Sequence, residues 1–120
     1  MAQQADDFGD FDALGLADLV ARGEVSPLEL VDDAIARLES VNGKLNAVIT
    51  TMFDRARQRA QGEIPQGPFR GVPFLMKDFA AEVAGVPFYE GSNFLNDYIP
   101  TENSEIFERF ERSGLITFGK

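Results

Sequence analysis

Two continuous apolar runs, Val72-Pro73-Phe74-Leu75-Met76 and Leu115-Ile116-Thr117-Phe118-Gly119, stand on either side of one capped helical segment. That order constrains the chain more than any other feature. Strand, loop, helix and strand make a crossover unit, and a crossover implies parallel strands in an α/β sheet. The first run is bounded by turn residues, the pattern of a strand buried on both faces. The helix between the runs is expected from about Glu105 to Ser113, capped by Asn103-Ser104 and ended by Gly114. Ile106, Phe107 and Phe110 give it an apolar face. Two parallel strands do not complete a sheet, because inner strands need a partner on each side. The expectation is an α/β unit that holds a helical layer and the first strands of a mixed or parallel sheet, incomplete at the C-terminus.

The helical layer is written upstream. Residues 1–10 read as a flexible acidic tail, and residues 11–120 as one structural unit. A short helix is expected from Phe11 to about Arg22, with Gly23 just past its end. Ser26-Pro27-Leu28-Glu29 is a capping box with proline at the first helical position. The stripe Leu30, Val31, Ala34, Ile35, Leu38, Val41 has helical period, and Asn42-Gly43 is expected to close it. Leu45–Thr50 reads as a short strand. Met52–Gln61 reads as a helix whose Arg55, Arg57 and Arg59 form a solvated face. Residues 62–71 and 78–96 read as loops.

The chain has 11 basic and 20 acidic residues, a formal net charge of −9. This opposes a phosphate-backbone partner and an anionic membrane surface. No apolar run is long enough to span a bilayer. Cysteine and histidine are absent, which removes thiol nucleophiles, thiolate metal sites and histidine-based triads. Lysine is the natural substitute base. Lys77 is the only one of three lysines that lies in an apolar run, at the end of Gly71-Val72-Pro73-Phe74-Leu75-Met76-Lys77-Asp78. Desolvation there would favour the neutral amine, a general base. The plain alternative is a strand-end lysine with its stem on apolar surface and its head in water or paired with a carboxylate. Lys120 also follows a strand and reads as a solvated residue. Gly91-Ser92 reads as a turn, with a place on a cleft wall as the sharper alternative.

The segment from Gly71 to Asp78 resembles the Gly-x-Pro-x-x-x-Lys-Asp segment of the amidase signature enzymes. Ala13-Leu14 to Arg22, Ser26–Leu30 and Leu45–Val48 resemble that family's N-terminal helical layer and first strand. Ser113–Lys120 resembles its next strand. The resemblance covers roughly residues 11 to 120, and its order and spacing are more specific than any one piece. The form from Phe69 onward looks closest to the bacterial branch that includes 6-aminohexanoate cyclic-dimer hydrolase. The resemblance implies amide hydrolysis through a Ser–cis-Ser–Lys triad, with Lys77 at the position of the lysine. It implies that Asp78 supports the site by accepting backbone hydrogen bonds. The family's two catalytic serines lie in a downstream Gly-Ser-Ser-Gly-rich segment that this sequence lacks. Ser26, Ser40, Ser92, Ser104 and Ser113 all fit structural roles.

The resemblance thus implies a small-molecule amide substrate, no metal, no organic cofactor and a cytoplasmic place. By itself the chain is expected to be inactive. The second reading is a non-catalytic fragment or interaction module that self-associates or needs a C-terminal partner segment. A third is a fragment of a glutaminyl-tRNA-type amidotransferase, from the component that carries the amidase fold. The charge balance does not favour it.

Overall fold

Helix α1 (Ala13–Ala21) begins where the Asp12 side chain accepts the Gly15 N–H at 2.7 Å, and ends at Gly23 with φ 72°. The computed structural model describes residues 7–120. Of the expected tail, residues 1–6 lie outside the described residues. Asp7–Asp10 form a 3-10 turn, and Phe8 packs against the cluster of Leu19, Val20, Val25 and Leu30.

The capping box forms at the start of α2 (Pro27–Leu45). Ser26 Oγ accepts the Glu29 N–H at 3.1 Å, and Glu29 Oε2 accepts the Ser26 N–H at 2.7 Å. The helix does not close at Asn42-Gly43 as expected. It continues to Leu45, and Asn46 takes the left-handed conformation. Asn42 has a different task. Its side-chain amide donates to the Val48 carbonyl at 2.9 Å and accepts the Val48 N–H at 3.0 Å, which folds the chain back against the helix.

The strand expected over Leu45–Thr50 is absent. The segment instead runs irregularly beside the last strand, with one antiparallel bridge from Thr51 to Gly119. Ile49 N–H and Thr50 N–H both donate to the Lys120 carbonyl, and Lys120 N–H donates to Thr50 O. Two donors on one carbonyl break the alternation that a regular ladder requires.

α3 (Phe53–Gln61) carries the basic face, and that face is not simply solvated. Arg57 pairs with Asp32 of α2 at 2.8 Å, and Arg59 reaches the Glu111 carboxylate at 2.7 Å. Arg55 lies 5.0 Å from the Phe107 ring centroid. The three arginines dock α3 on its neighbours.

β1 (Pro73–Leu75) and β2 (Ile116–Gly119) pair in parallel, joined through α4 (Glu105–Arg112). This is the crossover that the two apolar runs imply. β2 is buried throughout, whereas Leu75 of β1 is 41% exposed, so β1 is not buried on both faces. Register slips by one residue between Phe74 and Leu75, pairing Phe74 with Thr117 and Leu75 with Gly119. Phe118 is left without a partner opposite, the geometry of a bulge. The core divides across the sheet. Val31, Ile35, Leu38, Val48, Ile116 and Phe118 pack beneath α2 and α3. Met52, Met76, Val83 and Phe107 pack on the side of α4, where the Phe74 and Phe110 rings meet at 4.9 Å.

Candidate active site

Parallel strands bring their C-terminal ends to one edge of a sheet, and ligands gather there in α/β folds. In this chain β1 runs into Met76, Lys77 and Asp78, and β2 runs into Lys120. The Met76 N–H donates to Gly119 O at 3.1 Å and holds the two ends side by side. Lys77 is exposed at this edge, in contrast to the partly desolvated position its apolar run suggests. Among the described residues its ammonium has no hydrogen-bond or ion-pair partner.

Lys120 departs furthest from expectation. The sequence suggests a solvated residue, but the side chain is fully buried. Its Nζ lies 2.7 Å from Asp78 Oδ1 and 4.8 Å from the centroid of the Phe88 ring. The Nζ–Oδ1 contact is an ion pair whose angles fall short of a hydrogen bond. The Asp78 side chain is only 8% exposed, and its other oxygen accepts the Tyr89 N–H at 3.1 Å. One carboxylate therefore ties the end of β2 to the long loop after β1. Removing one member of such a buried pair costs about 3–5 kcal/mol, because the other charge is left uncompensated.

The loop from Lys77 to Ser104 has little regular structure beyond a 3-10 turn at Asn93–Leu95. Scattered backbone bonds, such as Gly85 N–H to Pro100 O at 2.9 Å, and side chains hold it together. Glu90 Oε1 accepts the Ala80 N–H, Ser104 Oγ accepts the Glu82 N–H, and Asn103 Oδ1 accepts the Ala84 N–H, at 3.0, 2.7 and 2.8 Å. Ala80 and Glu90 both have positive φ, 55° and 49°. Each such residue costs about 1–2 kcal/mol, and strained positions of this kind cluster at functional sites. Here the Ala80–Glu90 hydrogen bond joins the two strained points, three residues after Lys77 in the chain and one before Gly91.

These groups border a cleft of about 430 Å³ between the Ala47–Ile49 segment, the end of β1 and Gly91. Lys77, Asp78 and Lys120 supply its charge. Gly91 thus stands on the cleft wall, while Ser92 caps the 3-10 turn through the Phe94 N–H. A larger groove of about 540 Å³ runs between α2 and the sheet. It is mostly apolar, and its two charged groups, Asp33 and Arg37, pair with each other at 2.9 Å. Convergent polar groups distinguish a reactive site from an apolar one, so the smaller cleft is the candidate.

Each of the other serines has a structural bond. Ser26 caps α2, Ser40 Oγ donates to Arg37 O, and Ser113 Oγ donates to Phe110 O. Among the described residues no group of three or more acidic side chains is placed to hold a metal ion. Lys120 is the site residue that sequence reasoning missed. The available signal is topological: a residue after β2 must share an edge with a residue after β1.

The Amidase family matches residues 29–120, which takes in most of α2, both strands and all three charged cleft residues. The Mycobacterium tuberculosis protein named "Putative amidase AmiC" is 40% identical over 96% of this chain and 24% of its own length. The 6-aminohexanoate-cyclic-dimer hydrolase of Paenarthrobacter ureafaciens is 33% identical over 91% of this chain and 22% of its own. The structure of 6-aminohexanoate cyclic dimer hydrolase complexed with substrate superposes with a TM-score of 0.84 at 32% identity, covering 92% of this chain and 23% of that one. The chain therefore spans about a quarter of the length of the relatives it matches. Matched along its helical layer, its crossover and its charged strand ends, this chain belongs to the amidase family.

Proposed function

We propose that this chain is the lysine-bearing part of an amide hydrolase, with Lys77 as the general base. One observation carries the reading. Among the described residues Lys77 has no ion-pair or hydrogen-bond partner at the C-terminal edge of a parallel sheet, although a carboxylate follows it in the chain. A base must be free to accept a proton, and a lysine held by an ion pair is not. In the reaction the Lys77 amine takes a proton from a bridging serine, which activates a second serine for attack on the amide carbonyl. Asp78 supports the site through the Tyr89 N–H and Lys120 and touches no reacting atom. The substrate is a small carboxamide or a small cyclic or linear amide, and the place of action is the cytoplasm. No described helix is long and apolar enough to cross a membrane.

The test is a graft. Residues 11–120 replace the matching part of 6-aminohexanoate-cyclic-dimer hydrolase, and hydrolysis of the cyclic dimer is followed. The graft should be active, and Lys77→Ala within it should lower kcat by at least about 10³-fold, as loss of a triad member does. A graft in which Lys77→Ala retains its rate overturns the reading. The chain of 120 residues alone should show no amidase rate.

A second reading, an interaction module, is favoured by exposed apolar side chains at the cleft and just after it in the chain. Ile49 and Leu75 line the cleft and are 50% and 41% exposed, and Phe79, next after Asp78, is 63% exposed. Such surface favours self-association or a partner segment. Sedimentation of the purified chain decides this: a monomer at all concentrations excludes self-association.

A further inference from the structure

Lys77 has a carboxylate as its next neighbour and yet is unpaired among the described residues. The reason lies on the other strand. Lys120 brings an ammonium, fully removed from water, to within 2.7 Å of Asp78 Oδ1. Its own alternatives are poor, since it is buried against the Phe88 ring. Asp78 Oδ2 is engaged by the Tyr89 N–H. Both oxygens of Asp78 thus have partners before Lys77 is considered.

We propose that Lys120 is a positioning residue that occupies Asp78 and so keeps the Lys77 amine free of a carboxylate partner. The proposal rests on the reading of Lys77 as the base, and it adds a task for a residue that the resemblance leaves without one. It also explains why an ion pair should be buried at this edge at all. Such pairs add little stability over apolar packing, whereas this one settles which of two lysines neutralises Asp78. Among the described residues the charged groups that share the cleft with Lys77 are Asp78 and Lys120, and Glu90 of the same loop has its Oε1 engaged by the Ala80 N–H. The Ala47–Ile49 wall and the end of β1 contribute none.

With only three lysines in the chain, their side-chain resonances can be assigned one by one after ¹³C,¹⁵N-lysine labelling. In the native chain, protonation of Asp78 in an acid titration should move the Lys120 Nζ and Cε resonances and leave those of Lys77 in place. In Lys120→Met the freed carboxylate should turn to Lys77, and the Lys77 resonances should then follow the titration of Asp78 with a raised midpoint. In the double variant Lys120→Met/Asp78→Asn that rise should vanish. General loosening would instead move Lys77 alike in the single and double variants. The proposal is overturned if the Lys77 resonances follow Asp78 in the native chain, or if a folded Lys120→Met leaves the Lys77 midpoint unchanged. The native titration needs no substitution, so a variant that fails to fold does not spare the proposal. These readouts do not depend on turnover. A graft in which Lys77→Ala stays active would remove the catalytic reading and leave the pairing result standing.

Discussion

The Glu111 carboxylate lies 2.7 Å from the Arg59 guanidinium, yet its pKa stands above the usual 4.5. Burial is the largest influence and outweighs the opposing pull of Arg59 and Arg55. A raised pKa in the folded state means that the fold prefers the protonated acid. The contribution of Glu111 to stability is therefore present below about 4.5 and is lost as pH rises through the folded-state value. Glu111→Gln should remove that loss. Urea midpoints measured from about pH 4 to about pH 7 should show the variant gaining on the native chain as pH rises. A constant difference would mean that the two guanidiniums fully offset the burial.

Glu29 should show the opposite sign. Its pKa is lowered, first by the hydrogen bond from the Ser26 backbone and then by that from the Ser26 side chain. Its contribution is present above about 4.5 and is lost as pH falls through the folded-state value. Ser26→Ala should cost about 1 kcal/mol of stability, the usual worth of an N-cap side chain. Thermal melts at neutral pH check the first effect, and the same melts in acid, where Glu29→Gln should make no further difference, check the second.

Gly23 and Gly114 each follow a helix with positive φ, 72° and 95°. Their surroundings differ. A Cβ at Gly23 meets nothing within 4 Å, whereas one at Gly114 would overlap the Arg70 backbone. Gly23→Ala should cost only the conformational term of about 1–2 kcal/mol. Gly114→Ala adds that overlap and should cost clearly more. Equal losses in denaturant titrations would contradict the close approach of the two loops.

Lys77 and Lys120 should separate activity from stability. The exposed Lys77 has no partner to lose among the described residues, so Lys77→Ala should shift stability by no more than about 0.5 kcal/mol. Lys120→Ala leaves Asp78 buried and unpaired and should cost about 3–5 kcal/mol. Chemical denaturation of the two variants side by side tests the contrast. A large loss at Lys77 would show that it carries structure rather than chemistry.

The parts of the fold legible in the sequence are those decided locally. The Ser26–Glu29 box and the ends of α1 and α4 at glycine follow from residues within one element or its immediate flanks, and the parallel crossover follows from the order of three such elements. The full extent of α2 is not legible, because Asn42 serves Val48 rather than ending the helix. Leu45–Thr50 has strand composition, but the Lys120 carbonyl draws two of its donors and spoils the ladder. The arginines of α3 read as solvated because their partners, Asp32 and Glu111, lie far off in sequence. Lys77 stands out through its local run, but its exposure at the sheet edge is not legible there, because an apolar run does not say where the strand ends and solvent begins. The burial of Lys120 is not legible, because a lysine after a strand looks the same whether a carboxylate waits across the sheet or not.

The slip between Phe74 and Leu75 bears on this last point. In a strand without it, Ile116, Phe118 and Lys120 would share one face. Ile116 and Phe118 face the apolar layer beneath α2, and the ammonium would follow them there. The unpartnered Phe118 resets the alternation. A Cβ on Gly119 would then point at Val48 and Leu75, on the same side as Phe118, and Lys120 turns the opposite way toward Asp78. One surplus residue in a short strand thus acts as a parity switch that sends a positive charge to the polar edge rather than into oil.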